Sequence, residues 1–144
     1  SLAALNVIPD DVCVVALGSG HPGCAVAGDL VMGMLHNCGV AGFVTDGPMR
    51  YYAVLIEVAL PAWCTGLTPA SPFTKGPATV GLPINLGGQK IESGDVIVAD
   101  RAGVVVVPHS KRDFVLKRLY KVADFDDSLD AEVRGGLKIP DPVK

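Results

Sequence analysis

Charge is the scarcest property of this 144-residue chain: only 19% of its residues are Asp, Glu, Lys or Arg. The scarcity is uneven. Residues 1–109 hold four cations (Arg50, Lys75, Lys90 and Arg101) against eight acids, whereas residues 110–144 hold eight cations and seven acids. So little basic charge excludes a nucleic-acid surface, which needs clustered Lys and Arg. The one basic concentration, 111–121, is diluted by Asp113 and by apolar residues at helical spacing. Long apolar runs are also missing. Those near 24–35 and 53–64 are broken by Asp29, Glu57 and Pro61, short of the ~18 apolar residues of a membrane helix. No basic segment precedes the apolar residues 2–5, as a signal peptide requires, so the expectation is a cytoplasmic protein. Cys13, Cys24, Cys38 and Cys64 sit in apolar segments with no CxxC pair, which predicts reduced, buried thiols.

Apolar side chain is what the sequence has in quantity: 49% of residues are hydrophobic and the mean hydropathy is +0.41. That excludes disorder, because burial on this scale offsets the entropy of ordering. The length fits one domain. Residues 12–17 form a β-branched apolar run that ends in Gly18 and predicts a buried strand. Residues 24–38, small and apolar and followed by Gly39, predict a helix with a glycine stop. A second strand is expected over 42–45, and a second helix over about 49–59, with Pro48 at its start and Pro61 after its end. Strand, helix, strand, helix with short joins implies a locally parallel sheet in an α/β fold. The pattern then changes. Residues 61–108 hold six of the eleven prolines, and short apolar runs at 79–80, 83–86, 96–99 and 104–107 predict strands joined by turns. Ser110 is placed to cap a last amphipathic helix with Phe114, Leu116, Leu119, Tyr120 and Val122 on one face. The tail after Asp124 is polar.

Several motifs carry little. Gly18-Ser19-Gly20-His21-Pro22-Gly23 matches GxGxxG literally, but Pro22 stands where the helix of a dinucleotide site should already run. His21, His36 and His109 lack a second ligand at metal spacing, and there is no GxSxG. Lys75 and Lys90 lie in turn-rich stretches, poorly suited to the desolvated lysine of an imine mechanism. The stronger site follows from topology. In parallel α/β units, the loops after the first two strands emerge on one carboxyl edge. They carry Gly28-Asp29-Leu30-Val31 and Asp46-Gly47-Pro48-Met49-Arg50. Gly28 leaves room beside the free N–H groups of a helix start, which attract anions. Arg50 falls in the first turn of the helix expected over 49–59, where a cation opposes the helix dipole, so a bound anion explains it better than helix stability. An ion pair with Asp46 or Glu57 is the structural alternative.

Gly28-Asp29-Leu30 followed by the run from Gly39 to Arg50 resembles the GDL … GVAGxVxDGxxRD signature of the RraA-like family. That family includes 4-hydroxy-4-methyl-2-oxoglutarate aldolases and regulators of ribonuclease activity. Pro83 to Gly88, Gly94 to Asp100 and Gly103 to Pro108 look like its PxxxGG and GDxxxxDxxGVVVVP segments. The resemblance covers about residues 5–135. It implies a three-layer β/β/α swivelling-domain fold over 1–144, without the family's N-terminal segment and with 124–144 as a C-terminal arm along a neighbour. It further implies a homotrimer or homohexamer with interfacial sites for a small 2-oxo acid.

By the same resemblance, the expected activity is a divalent-metal lyase. It would cleave 4-hydroxy-2-oxo dicarboxylic acids to pyruvate and decarboxylate oxaloacetate as a side reaction. Arg50 would hold the pyruvyl end and stabilise the enolate, the N–H groups of Leu30 and Val31 beside Gly28 would bind the carboxylate, and Asp29 would orient water on Mg²⁺ or Mn²⁺. Asp130 or Glu132 from a neighbouring subunit would complete the metal's surroundings through water; apart from the resemblance, Asp46 could approach the metal from the strand end. One position departs from the pattern: the family's metal-ligand Asp after the Arg is Tyr51 here. The alternative function is therefore a non-catalytic RraA-like regulator, or a member that binds a carboxylate or a protein without the metal.

Overall fold

In the computed structural model, residues 10–16, 23–71 and 79–138 are described. The Gly18-to-Pro22 part of the glycine motif, His21 and Lys75 lie outside them. The elements run β1 (Val12–Val15), α1 (Asp29–Asn37), β2 (Gly42–Thr45), α2 (Tyr52–Val58) and β3 (Ala62–Trp63), then β4 (Ile84–Leu86), β5 (Gln89–Ile91), β6 (Val96–Ala99), β7 (Val104–Val107) and α3 (Arg112–Arg134). The chain is α/β, as the alternation of its first half predicts.

β1, β2 and β3 form a parallel sheet in that order, with Val12 opposite Gly42 and Phe43 opposite Ala62. The central strand β2 is buried along its whole length, which suits its run Gly-Phe-Val-Thr. Gly42 is required by packing: a β-carbon there would lie 3.3 Å from the Trp63 ring. α1 covers the sheet with Met32 and Leu35, which join Phe43 and Met49 as the most deeply buried large side chains. Asp29 in its first turn complements the helix dipole, and Gly39, at φ 79°, turns the chain out of it.

The strand-rich half consists of two hairpins. β4 and β5 pair antiparallel through Gly87 and Gly88, both at positive φ, as a two-residue turn of this hand requires. β6 and β7 pair antiparallel around Asp100, whose side chain accepts the N–H groups of Ala102 and Gly103. Trp63 ties this turn to the parallel sheet by donating its indole N–H to the Asp100 carbonyl at 2.7 Å.

Several expected boundaries differ. The helix expected over 24–38 begins only at Asp29, because Ala25 and Val26 donate backbone N–H groups to the carbonyls of Ala70 and Pro48. Residues 79–80 are not a strand, and Val80 is exposed. Ser110 does not cap α3; it lies within a 3-10 turn (His109–Lys111), and Lys111 precedes the helix without a side-chain cap bond. α3 continues past Asp124 to Arg134, so the expected arm is helical over its first eleven residues. All four thiols are free, but Cys38 and Cys64 are exposed and Cys13 and Cys24 only half-buried. Partial burial pushes the Cys13 thiol above its ordinary pKa. Among the described residues, no helix is long and apolar enough to cross a membrane.

Candidate anion-binding site

The site rests on three short extended segments running side by side. Ala27, Met49 and Leu67 form successive parallel bridges. Arg50 N–H donates to Ala27 O at 3.2 Å, Met49 N–H to Gly66 O at 2.9 Å, and Thr68 N–H to Met49 O at 2.9 Å. Gly28, Arg50 and Thr68, the next residue of each segment, therefore come to one edge. Upstream, the Asp46–Gly47 corner is fixed by the Thr45 hydroxyl, which accepts Gly47 N–H at 3.1 Å, and by Thr65, which donates its hydroxyl to Asp46 O at 3.3 Å.

This arrangement corrects the expected placement of Arg50. The residue precedes α2 rather than occupying its first turn, because the extended hydrogen bonds of 48–50 compete with a helix and win. Opposition to a helix dipole therefore does not explain it. Nor does a salt bridge to Asp46 or Glu57: among the described residues, Arg50 enters no ion pair. Its Nη1 donates to the Ser71 hydroxyl at 2.8 Å, and its guanidinium carbon lies 4.4 Å from the centre of the Tyr51 ring. Its Nε is buried and makes no hydrogen bond with a described residue. Such an orphan donor costs about 1–3 kcal/mol.

Gly28 makes the arrangement sterically feasible. A β-carbon at residue 28 would meet Arg50 Cγ at 3.1 Å, Arg50 Nε at 3.2 Å and the Tyr51 ring at 3.3 Å. The Arg50 side chain thus passes over the start of α1, whose first N–H groups, from Asp29, Leu30 and Val31, have no partner within the helix. Gly28 itself offers no side-chain cap to them. Cation and helix start converge as one positive site. Tyr51 adopts the left-handed conformation at φ 65°, uncommon for an aromatic residue, and this strain sits beside the guanidinium. Next to it is an open cleft of about 290 Å³ lined by Arg50, Tyr51, Leu67, Thr68 and Pro69.

The structure thus brings Gly28, Asp29, Leu30, Val31 and Arg50 to one edge. Asp46 lies at the carboxyl end of β2, four residues before Arg50. Asp130 and Glu132 lie on α3, with Asp130 paired to Arg134 at 2.8 Å. Ser71, Thr68 and the stacking by Tyr51 were not foreseen. Their signal was the parallel-edge rule applied to a third strand, but β3 is only two residues long and gives no periodic pattern.

Among the described residues of one chain, the side chains beside Arg50 do not by themselves gather the donors of a divalent-cation site. The side chain after Arg50 is a phenol whose ring faces the guanidinium, where a hard cation wants carboxylate oxygens. Among the described residues, no three His, Cys, Asp or Glu side chains gather at metal-binding distance.

An α/β chain with an arginine held over a glycine-started helix is the class that the fold and the candidate site define. Comparison with known proteins makes the class specific. The family model RraA-like (Aldolase/RraA) matches residues 3–106, and the chain belongs to this family. It is 35% identical over 131 residues to a Halalkalibacterium halodurans protein named "Putative 4-hydroxy-4-methyl-2-oxoglutarate aldolase", covering 91% of this chain and 62% of that protein. It is similar to the crystal structure of Streptomyces coelicolor RraAS2, described as an unusual member of the RNase ES inhibitor RraA family. That match has TM-score 0.79 and 31% identity, over 87% of this chain and 64% of that one. An uncharacterised Pseudomonas syringae pv. tomato protein matches with TM-score 0.83 and 27% identity, over 92% and 66% of the two chains. The chain spans less than two thirds of the length of each of these relatives.

Proposed function

We propose that this chain supplies the oxo-acid site of a carbon–carbon lyase that releases pyruvate from a 4-hydroxy-2-oxo dicarboxylic acid, with oxaloacetate decarboxylation as a side reaction. The observation that carries it is Arg50, laid across Gly28 at the start of α1 without a carboxylate partner among the described residues. The substrate carboxylate spans the N–H groups of Leu30 and Val31 and the Arg50 guanidinium, and its 2-oxo oxygen lies toward the same guanidinium. Retro-aldol cleavage breaks the C3–C4 bond. The electron pair moves onto the 2-oxo oxygen as an enolate, and the 4-hydroxyl gives up its proton as its oxygen becomes a carbonyl. In oxaloacetate the same bond breaks with loss of carbon dioxide. In both cases the enolate takes a proton at C3 to give pyruvate. Arg50 stabilises the enolate charge, and Asp29, in the first turn of α1, is the proposed carrier of the proton. Removing one such charge-stabilising donor lowers the rate by about 10²–10³.

The resemblance to the aldolases supports this reading, as does the chain's 35% identity to a protein that bears an aldolase name. The protein is further proposed to act as a trimer or hexamer, with Asp130 or Glu132 approaching from a neighbouring subunit. Pyruvate release from 4-hydroxy-4-methyl-2-oxoglutarate and from oxaloacetate, followed with and without Mg²⁺ or Mn²⁺, tests the activity. Release that collapses in Arg50→Ala supports it, and no release above background from either substrate overturns it. A second reading, a non-catalytic member that binds a carboxylate or a protein through the same face, is favoured by Tyr51.

A further inference from the structure

We infer that Tyr51 makes this site bind its carboxylate ligand directly through Arg50, without a divalent cation. The inference rests on the oxo-acid reading above and deepens it. Three observations converge. The Tyr51 ring lies against the guanidinium at 4.4 Å, so the residue after Arg50 lends it an aromatic face and no negative charge. Among the described residues, the side-chain hydrogen bond of Arg50 goes to a neutral hydroxyl, that of Ser71. The guanidinium enters no ion pair among the described residues, and its buried Nε makes no hydrogen bond with any of them. A ligand carboxylate is the group whose geometry matches a guanidinium fork.

A carboxylate at position 51 would reverse this balance. It would neutralise Arg50, compete with the ligand, and supply the hard oxygen donor that a divalent cation needs. Position 51 thus selects between two ways of holding the same acid: through a metal when it is Asp, and by the arginine alone when it is Tyr. The rest of the cleft is consistent with the second. Leu67, Pro69 and Tyr51 offer apolar surface, the Thr68 hydroxyl is engaged by Gly23 O and Ala70 N–H, and the volume of about 290 Å³ suits a small acid.

The test uses the whole chain and three variants, with pyruvate titrated by calorimetry in EDTA and again in Mg²⁺, and Mn²⁺ titrated alone by its electron-spin resonance. In the wild type, pyruvate affinity is expected to be the same in EDTA and in Mg²⁺, and Mn²⁺ to stay free. Tyr51→Asp is expected to lose about tenfold or more in EDTA, the size of one charge-assisted contact, and to gain Mn²⁺ binding. Asp tolerates the left-handed conformation better than Tyr, so the variant relieves backbone strain rather than adding it. Tyr51→Phe keeps the ring and adds no carboxylate, so its pyruvate affinity is expected to be the same in EDTA and in Mg²⁺; a requirement for Mg²⁺ in this variant overturns the inference. Pyruvate binding by the wild type that appears only with Mg²⁺ overturns the inference and leaves the oxo-acid site standing. Binding in neither condition, or binding indifferent to Arg50→Ala, overturns the oxo-acid site itself.

Discussion

Gly28 and Arg50 compete for one space: a β-carbon on residue 28 would lie 3.1 Å from Cγ of Arg50 and 3.2 Å from its Nε. The backbone at Gly28 is extended, at φ −142° and ψ −166°, a conformation alanine adopts freely. Gly28→Ala is therefore expected to act on the arginine rather than on the fold. Its thermal midpoint should stay close to that of the wild type, while pyruvate affinity falls about tenfold as the guanidinium is displaced. Calorimetry beside a thermal melt separates the two effects.

Arg50→Lys tests what the guanidinium contributes beyond charge. Lysine keeps the cation but offers a point charge in place of a planar fork, and it cannot maintain the bond to Ser71 and the stack on Tyr51 together. Pyruvate release from oxaloacetate is expected to fall by about 10² in Arg50→Lys, nearly as far as in Arg50→Ala. A lysine variant within a few-fold of wild type would reduce the site to simple charge attraction.

The parallel core and the glycine-rich turns were legible because their signals are local. β1 and β2 are β-branched or aromatic runs bounded by turns, and Gly39, Gly87 and Gly88 take the positive φ that their positions call for. The site's framework was legible only in part. Gly28 and Arg50 were paired correctly by the rule that loops emerge together at a parallel sheet's carboxyl edge. The conformation around them was misjudged. Residues 25–27 and 48–50 have helix-compatible composition, but their hydrogen-bond partners lie 17 to 45 residues away, and these distant partners decide the outcome. The same limit hid Ser71, which reaches Arg50 from across the third segment. For α3, periodic apolar residues were read through Val122. The polar residues from Asp124 onward gave no such face, although the helix continues for three more turns.

Asp95 provides a pH-dependent contribution to the strand-rich half. Its carboxylate accepts Glu92 N–H at 2.9 Å and His109 N–H at 2.8 Å, joining the β5–β6 turn to the start of the 3-10 turn before α3. These backbone bonds, that from Glu92 first, hold its pKa below the ordinary aspartate value. A carboxyl with a lowered folded-state pKa stabilises the fold above its unfolded pKa, near ~3.9, and loses that contribution as pH falls through the lower folded value. Asp95→Asn is therefore expected to melt below the wild type at pH 7, with the gap closing as pH drops below about 4. Thermal melts of both proteins across pH 3–7, a range set around that ~3.9 reference, check the sign.

α3 is 23 residues long and buries none of them, while Leu116, Leu119 and Tyr120, on one stripe at three- and four-residue spacing, are 46%, 54% and 74% exposed. A contiguous apolar stripe on an otherwise charged helix marks a contact surface. Under the proposed assembly, the neighbour it meets is a second copy of this chain. Leu119→Glu is then expected to convert the wild-type oligomer to a monomer in analytical ultracentrifugation. Because Leu119 is not buried within its own chain, the helical signal in circular dichroism should remain. If the site is completed by Asp130 or Glu132 of the adjacent copy, pyruvate release should fall in the same variant, although Leu119 is no part of the Arg50 cleft. A wild-type chain that sediments as a monomer at all concentrations would remove the assembly. It would leave Gly28, Arg50 and Tyr51 to account for ligand binding alone.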